Sequence, residues 1–98
     1  MKCKECGGSE LKLEIKKTNG DLSENTGEII CPICGVKYSK GTMLYHKTNP
    51  YTLLMYTSFP LHWRNTSRLK NDVIHASWID KSGIYHNNDF YLFELEIA

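Results

Sequence analysis

Cys3-Lys4-Glu5-Cys6-Gly7 and Cys31-Pro32-Ile33-Cys34-Gly35 repeat one short pattern: two cysteines with two residues between them and a glycine directly after. With 24 residues between the pairs, the spacing predicts a single tetrahedral metal site. Two intervening residues let both sulfurs of a pair point to one side of a tight turn, where backbone amides can donate to them. The following glycine supplies the positive φ that closes the turn without a Cβ clash. Two such knuckles provide four thiolates from Cys3, Cys6, Cys31 and Cys34. That set suits a closed structural Zn²⁺ site with no position left for a substrate.

Two other readings of the cysteines compete with a shared metal. A thioredoxin-like redox pair needs one such motif opening a helix in a βαβ unit, and no amphipathic helix follows either pair here. Two structural disulfides belong to oxidising compartments. The chain begins Met1-Lys2-Cys3 with no apolar leader, so a cytoplasmic location and reduced thiols are expected.

These knuckles resemble those of the four-cysteine zinc-ribbon superfamily, which are rubredoxin-like. Rubredoxin carries a similar Cys-Pro-x-Cys-Gly turn but holds iron, which makes iron the second candidate metal. The stretch from Gly27 through Glu28-Ile29-Ile30-Cys31-Pro32-Ile33-Cys34-Gly35-Val36-Lys37-Tyr38 is also similar to the second half of small methyltransferase-activator ribbons. That resemblance implies a protein that works by docking on a catalytic partner. The zinc-ribbon resemblance as a whole covers roughly residues 1 to 45 and implies a fold and a metal, not an activity.

Composition bounds the rest. At 98 residues, 41% hydrophobic and 23% charged, the chain has the make-up of one ordinary globular unit. No apolar run approaches the ~20 residues that a membrane-spanning helix needs. Net charge is +1, whereas a duplex-DNA binder draws much of its affinity from a basic excess. Residues 1–48 carry eight Lys against six acidic residues, and residues 49–98 four Lys or Arg against five. The difference is too small to mark a nucleic-acid face.

Leu11, Leu13 and Ile15 alternate with Lys12, Glu14 and Lys16, the period of a half-buried strand. Asn19-Gly20-Asp21 reads as a hairpin turn, with residues 22–27 a mobile extension of it. Glu28-Ile29-Ile30 returns the chain to the second knuckle. Lys12, Lys16 and Lys17 form either a phosphate-contacting stripe or a solvated face that protects an edge. Val36 to His46 holds a further strand broken at Gly41, and Thr48-Asn49-Pro50 marks a boundary. Tyr51 to Phe59 is expected to be a central strand, buried on both faces near Leu53 to Met55. One short helix is expected within 60–72. Val73 to Ile79 is strand-like, Asp80 to Gly83 a turn, and Asn87-Asn88-Asp89 a second turn. Phe90 to Ile97 alternates, with Tyr91, Phe93, Leu95 and Ile97 on one face. The chain is thus expected to be mainly β: a zinc ribbon over 1–47 and a small antiparallel subdomain over 48–98 packed on it.

Three functions are compatible with this reading. A protein-binding adaptor or regulator, inhibiting or activating a larger nucleic-acid-processing or modifying enzyme, suits the closed metal site and near-neutral charge. A single-stranded nucleic-acid binder would use Lys12, Lys16, Lys17, Arg64 and Arg68, with Trp63, Trp78 and Tyr85 stacking on bases. A small enzyme would recruit His62, Arg64, His75, Asp80, His86 and Asp89, whose spacing matches no catalytic motif. The adaptor with no catalytic residues is the reading favoured.

Overall fold

The computed structural model describes residues 1–17, 23–59 and 71–98. Among these the chain is mainly β, in two antiparallel sheets. The first sheet runs in the order β1 (Lys12–Lys17), β2 (Ser23–Ile30), β3 (Lys37–Tyr38). The second holds β4 (Met43–His46), β5 (Asn49–Ser58), β6 (Val73–Ile79), β7 (Tyr85–Tyr91) and β8 (Leu95–Ile97), in the order β7-β6-β5-β4-β8. The turn expected at Asn19-Gly20 and residues 60–70 of the expected helix lie outside the described residues. Among the described residues, no helix is long and apolar enough to cross a membrane.

In the first sheet Leu11 and Leu13 turn inward, as their alternation predicts. On β2 the inward residues are Asn25, Gly27 and Ile29, followed by Cys31. Residues 23–27 are therefore strand and not a loose extension of the turn. Tertiary contacts override their polar composition here. Leu13 faces Ile29 and Ile15 faces Asn25, so Thr26 to Glu28 bulge opposite Glu14. Gly27 takes a φ of +80° at the bulge. A Cβ there would stand 2.3 Å from the Phe59 ring, so glycine is what lets the second sheet come close. The buried Tyr56 hydroxyl then donates to the Gly27 carbonyl at 2.6 Å. Leu11, Leu13 and Ile29 share one core cluster with Leu44, Leu54, Tyr56, Ile74 and Leu95 of the second sheet.

The second sheet has to curl. Its edge strands β7 and β8 are joined only through the 3-10 turn Leu92–Glu94. Four strand spacings laid flat would separate those edges by about 19 Å. The four residue steps from Tyr91 to Leu95 span at most about 14 Å. Register shifts at Leu44/His46 in the β4–β5 ladder and at Tyr56/Ser58 in the β5–β6 ladder mark where the strands bend.

The curl explains where alternation misleads. Phe90 to Ile97 is not one strand, because Leu92 turns inward at the 3-10 turn and resets the phase. Leu92, Leu95 and Ile97 are buried while Tyr91 and Phe93 are exposed. β5 occupies the middle of the sheet, but the first sheet covers only one of its faces. Leu54 and Tyr56 are buried, while Leu53 and Met55 remain 55% and 43% exposed. Asn49 and Pro50 open β5, the turn lying at Lys47 and Thr48. Asn87-Asn88-Asp89 is not a turn but the middle of β7, held by a continuous ladder to Ser77, Ala76 and His75.

Tyr56→Phe keeps the ring but leaves the buried Gly27 carbonyl without its donor. It should lower unfolding free energy by about 1–3 kcal/mol in denaturant titration of the metal-loaded protein.

Candidate metal centre

The two knuckles have the same construction. In each, the glycine donates its N–H to the carbonyl of the first cysteine: Gly7 to Cys3 and Gly35 to Cys31, both at 2.9 Å. Gly7 and Gly35 have φ of +72° and +78°. The first cysteine N–H closes the loop onto the chain beyond, Cys3 to the Gly8 carbonyl at 2.7 Å and Cys31 to that of Val36 at 3.0 Å. Cys3 and Cys31 are consequently buried, while Cys6 and Cys34 face outward. β1 and β2 bring the two loops together.

The four Sγ atoms all lie within 4.8 Å of one another. The close pairs cross between knuckles, Cys3 with Cys34 and Cys6 with Cys31, both at 3.6 Å. A tetrahedral shell with Zn–S bonds of ~2.3 Å has edges of about 3.8 Å, so spacing and donor type both fit a thiolate-bound cation. All four cysteines are free. The Gly8 N–H donates to Cys6 Sγ at 3.4 Å, and the Tyr38 hydroxyl sits 3.8 Å from Cys3 Sγ. The Lys4 N–H in turn donates to Tyr38.

Electrostatics points the same way. Burial opposes ionisation of Cys3, but the amides of Cys6 and Glu5 and the neighbouring Cys34 outweigh it and bring it to about 6. The amide of Cys34 lowers Cys31 against its own burial. At Cys34 the Val36 amide favours the thiolate, yet burial and the other three sulfurs push it up to about 12. Four thiols this close cannot all ionise unless a cation sits among them. The cluster is poised to hold a metal ion.

The remaining residues singled out from the sequence are scattered. His46, His75 and His86 stand apart from the sulfurs; Nδ1 of His46 meets the Thr48 hydroxyl at 2.7 Å. His75 contacts Asp89, and Nε2 of His86 meets Asp80 at 2.7 Å. His86, then the Ile84 and Ser82 amides, hold the Asp80 carboxyl below its ordinary value. By strand alternation the two His–Asp pairs occupy opposite faces of the second sheet. Lys12 is exposed, whereas Lys16 and Lys37 lie 3.9 and 3.1 Å from Glu14. Trp78 is half-buried and stacks on His86 at 5.2 Å. Tyr85 is exposed, its hydroxyl on Ser77. His62, Trp63, Arg64 and Arg68 lie outside the described residues, as does the side chain of Lys17. Sequence reasoning missed Tyr38, whose only signal is its position on the strand leaving the second knuckle. Comparison with protein-family models, curated proteins and solved structures gives no match.

Cys34→Ser should abolish metal binding, and acid should do the same, because protons compete for the thiolates as pH falls. Structural zinc contributes on the order of 10–16 kcal/mol in short peptides, more than this small sheet supplies for itself. Chelator titration followed by amide NMR should collapse the dispersion of residues 1–38. Full dispersion without metal would show that the sulfurs do not hold the fold.

Proposed function

We propose that this protein is a zinc-stabilised docking module of the zinc-ribbon type, a non-catalytic adaptor that regulates a larger enzyme. The observation carrying this reading is an apolar surface on the outer face of the second sheet. Met43 faces Met55, Met55 faces Ser77, and Ile79 faces Tyr85. Continuing the β5–β6 register sets Leu53 opposite Ile79. Leu53, Ile79 and Tyr85 are 55%, 67% and 61% exposed, and both methionines are also open to solvent. A contiguous apolar surface with two adaptable methionines is a feature of protein-binding faces. The closed thiol site supports a structural metal, and zinc is the natural occupant of four thiolates.

Single-stranded nucleic acid is the weaker candidate, since Glu14 neutralises two of the lysines on the first sheet. We take the regulated enzyme to be nucleic-acid-processing or modifying by analogy with the small methyltransferase-activator ribbons, which dock on a catalytic partner.

Purified protein should carry one zinc per chain and be colourless; stoichiometric iron with a red colour would instead support an electron carrier. Leu53→Asp with Met55→Glu leaves the buried face untouched and should retain amide dispersion. In a pull-down from the native host after nuclease treatment, the wild type should retain a protein partner and the double variant should lose it. Capture that disappears with nuclease, together with steeply salt-dependent binding to random single strands, would favour the nucleic-acid reading.

A further inference from the structure

The edge of the second sheet carries a different kind of information from its face. β7 reads Tyr85-His86-Asn87-Asn88-Asp89-Phe90-Tyr91 and pairs on one side with β6, with no register shift. Among the described residues no strand pairs with its other side. Hydrogen bonds at both ends of the hairpin fix which way its backbone points. The Asp80 N–H donates to the Ile84 carbonyl and the Leu92 N–H to the Asp72 carbonyl. In an antiparallel ladder bonded residues alternate, so His86, Asn88 and Phe90 bond to β6. Tyr85, Asn87, Asp89 and Tyr91 then aim their backbone groups outward. Two of these outward N–H groups have found side-chain acceptors: Asp89 donates to Asn88 Oδ1 and Tyr91 to Glu94, both at 2.9 Å. In a paired edge these two donors would bond to the carbonyls of a neighbouring strand instead.

β7 carries few of the devices that normally blunt an edge, Asp89 being its one charged residue. It has no lysine, no proline and no bulge. β1 provides the contrast: it carries Lys12, Lys16 and Lys17, and its Leu13 N–H is taken by the Asn71 carbonyl at 2.7 Å. The sequence of β7 is moreover close to palindromic about Asn88. Reversed on itself, it sets Tyr85 against Tyr91, His86 against Phe90, and Asn87 against Asp89. Every pair is favourable: two aromatic pairs, an amide donating to a carboxylate, and one amide facing its own copy.

We propose that β7 is a self-pairing edge, where two copies of this chain join antiparallel about a two-fold axis through Asn88 to form one continuous sheet. The required parity is present. With odd-numbered residues pointing outward, Asn87 with Asp89 and Tyr85 with Tyr91 become the hydrogen-bonded pairs, about eight backbone bonds in all. Asn88 then falls on a non-bonded position, where side chains approach most closely. The N–H groups of Asp89 and Tyr91 exchange side-chain acceptors for carbonyls, so no donor is lost. The interface is isologous and closed, and it consumes the edge instead of propagating it. It lies beside the apolar docking face and does not depend on that face having a partner.

Sedimentation equilibrium of the metal-loaded full chain tests the proposal and its register together. The mass should rise from 11.3 kDa toward twice that value across micromolar to millimolar concentrations. Asn87→Asp would oppose Asp89 of the other copy at two symmetric places and should raise the dissociation constant roughly tenfold. Asn87→Lys would pair with the same carboxylates and should lower it by a similar factor. Position 87 is exposed and its N–H points outward, so Asn87→Pro should keep the β6 ladder and abolish the dimer. A wild type that stays monomeric at millimolar concentration would overturn the proposal, including the case in which β7 accepts only a foreign strand. So would a dimer whose constant is unmoved by the Asp and Lys substitutions or shifted in the same direction by both.

Discussion

Four thiols crowded between two tight loops are the constraint on which the N-terminal half depends. The amides that line the loops favour thiolates, and the sulfurs themselves disfavour one another. A cation held among them would reconcile the two tendencies and join the segment before β1 to the segment after β2. Cys3 and Cys31 are also members of the hydrophobic core. The site is therefore not an appendage on a folded sheet. The two inner sulfurs form one wall of the apolar cluster, and the two outer ones complete the shell at the surface.

The second sheet meets this half through a small set of close contacts. Gly27, without a side chain, admits the Phe59 ring, and the Tyr56 hydroxyl closes on the Gly27 carbonyl. Further along, the Leu13 N–H reaches the Asn71 carbonyl. Polar groups at the junction are thus paired, which lets the buried face of β5 pack on a strand as polar as β2. The same arrangement leaves the opposite face of β5 uncovered. Its exposed Leu53 and Met55 follow from a sheet that is packed on one side only.

Much of this was legible in the sequence, for physical reasons that can be located. The cysteine spacing carries its own geometry, because a two-residue gap followed by glycine leaves the loop few conformations. β1 and β6 show their alternation plainly. The first half of β2 and the middle of β7 were not legible, since Asn25 and Gly27 in one and Asn87 to Asp89 in the other are turn formers by local preference. Their strand state comes from neighbours distant in sequence: Tyr56 and Phe59 for β2, and the uninterrupted β6 ladder for β7. The β8 region failed differently, because a 3-10 turn shifts the phase and an alternating pattern read across it assigns the wrong face.

The pairing of β4 with β8 has a consequence for the order in which the molecule can be built. Leu44 lies opposite Ile97, and Leu95 and Ile97 are both buried. During synthesis, which proceeds from the N-terminus, all four sulfurs and the three strands around them are made before β6. The metal half can close early on contacts that are near in sequence. The second sheet must wait for β8, and until then its inner face and the edge of β4 remain open. A nascent chain of this protein can therefore hold all four sulfurs together while the second sheet is still unfinished, the stage at which a chaperone would find most to hold.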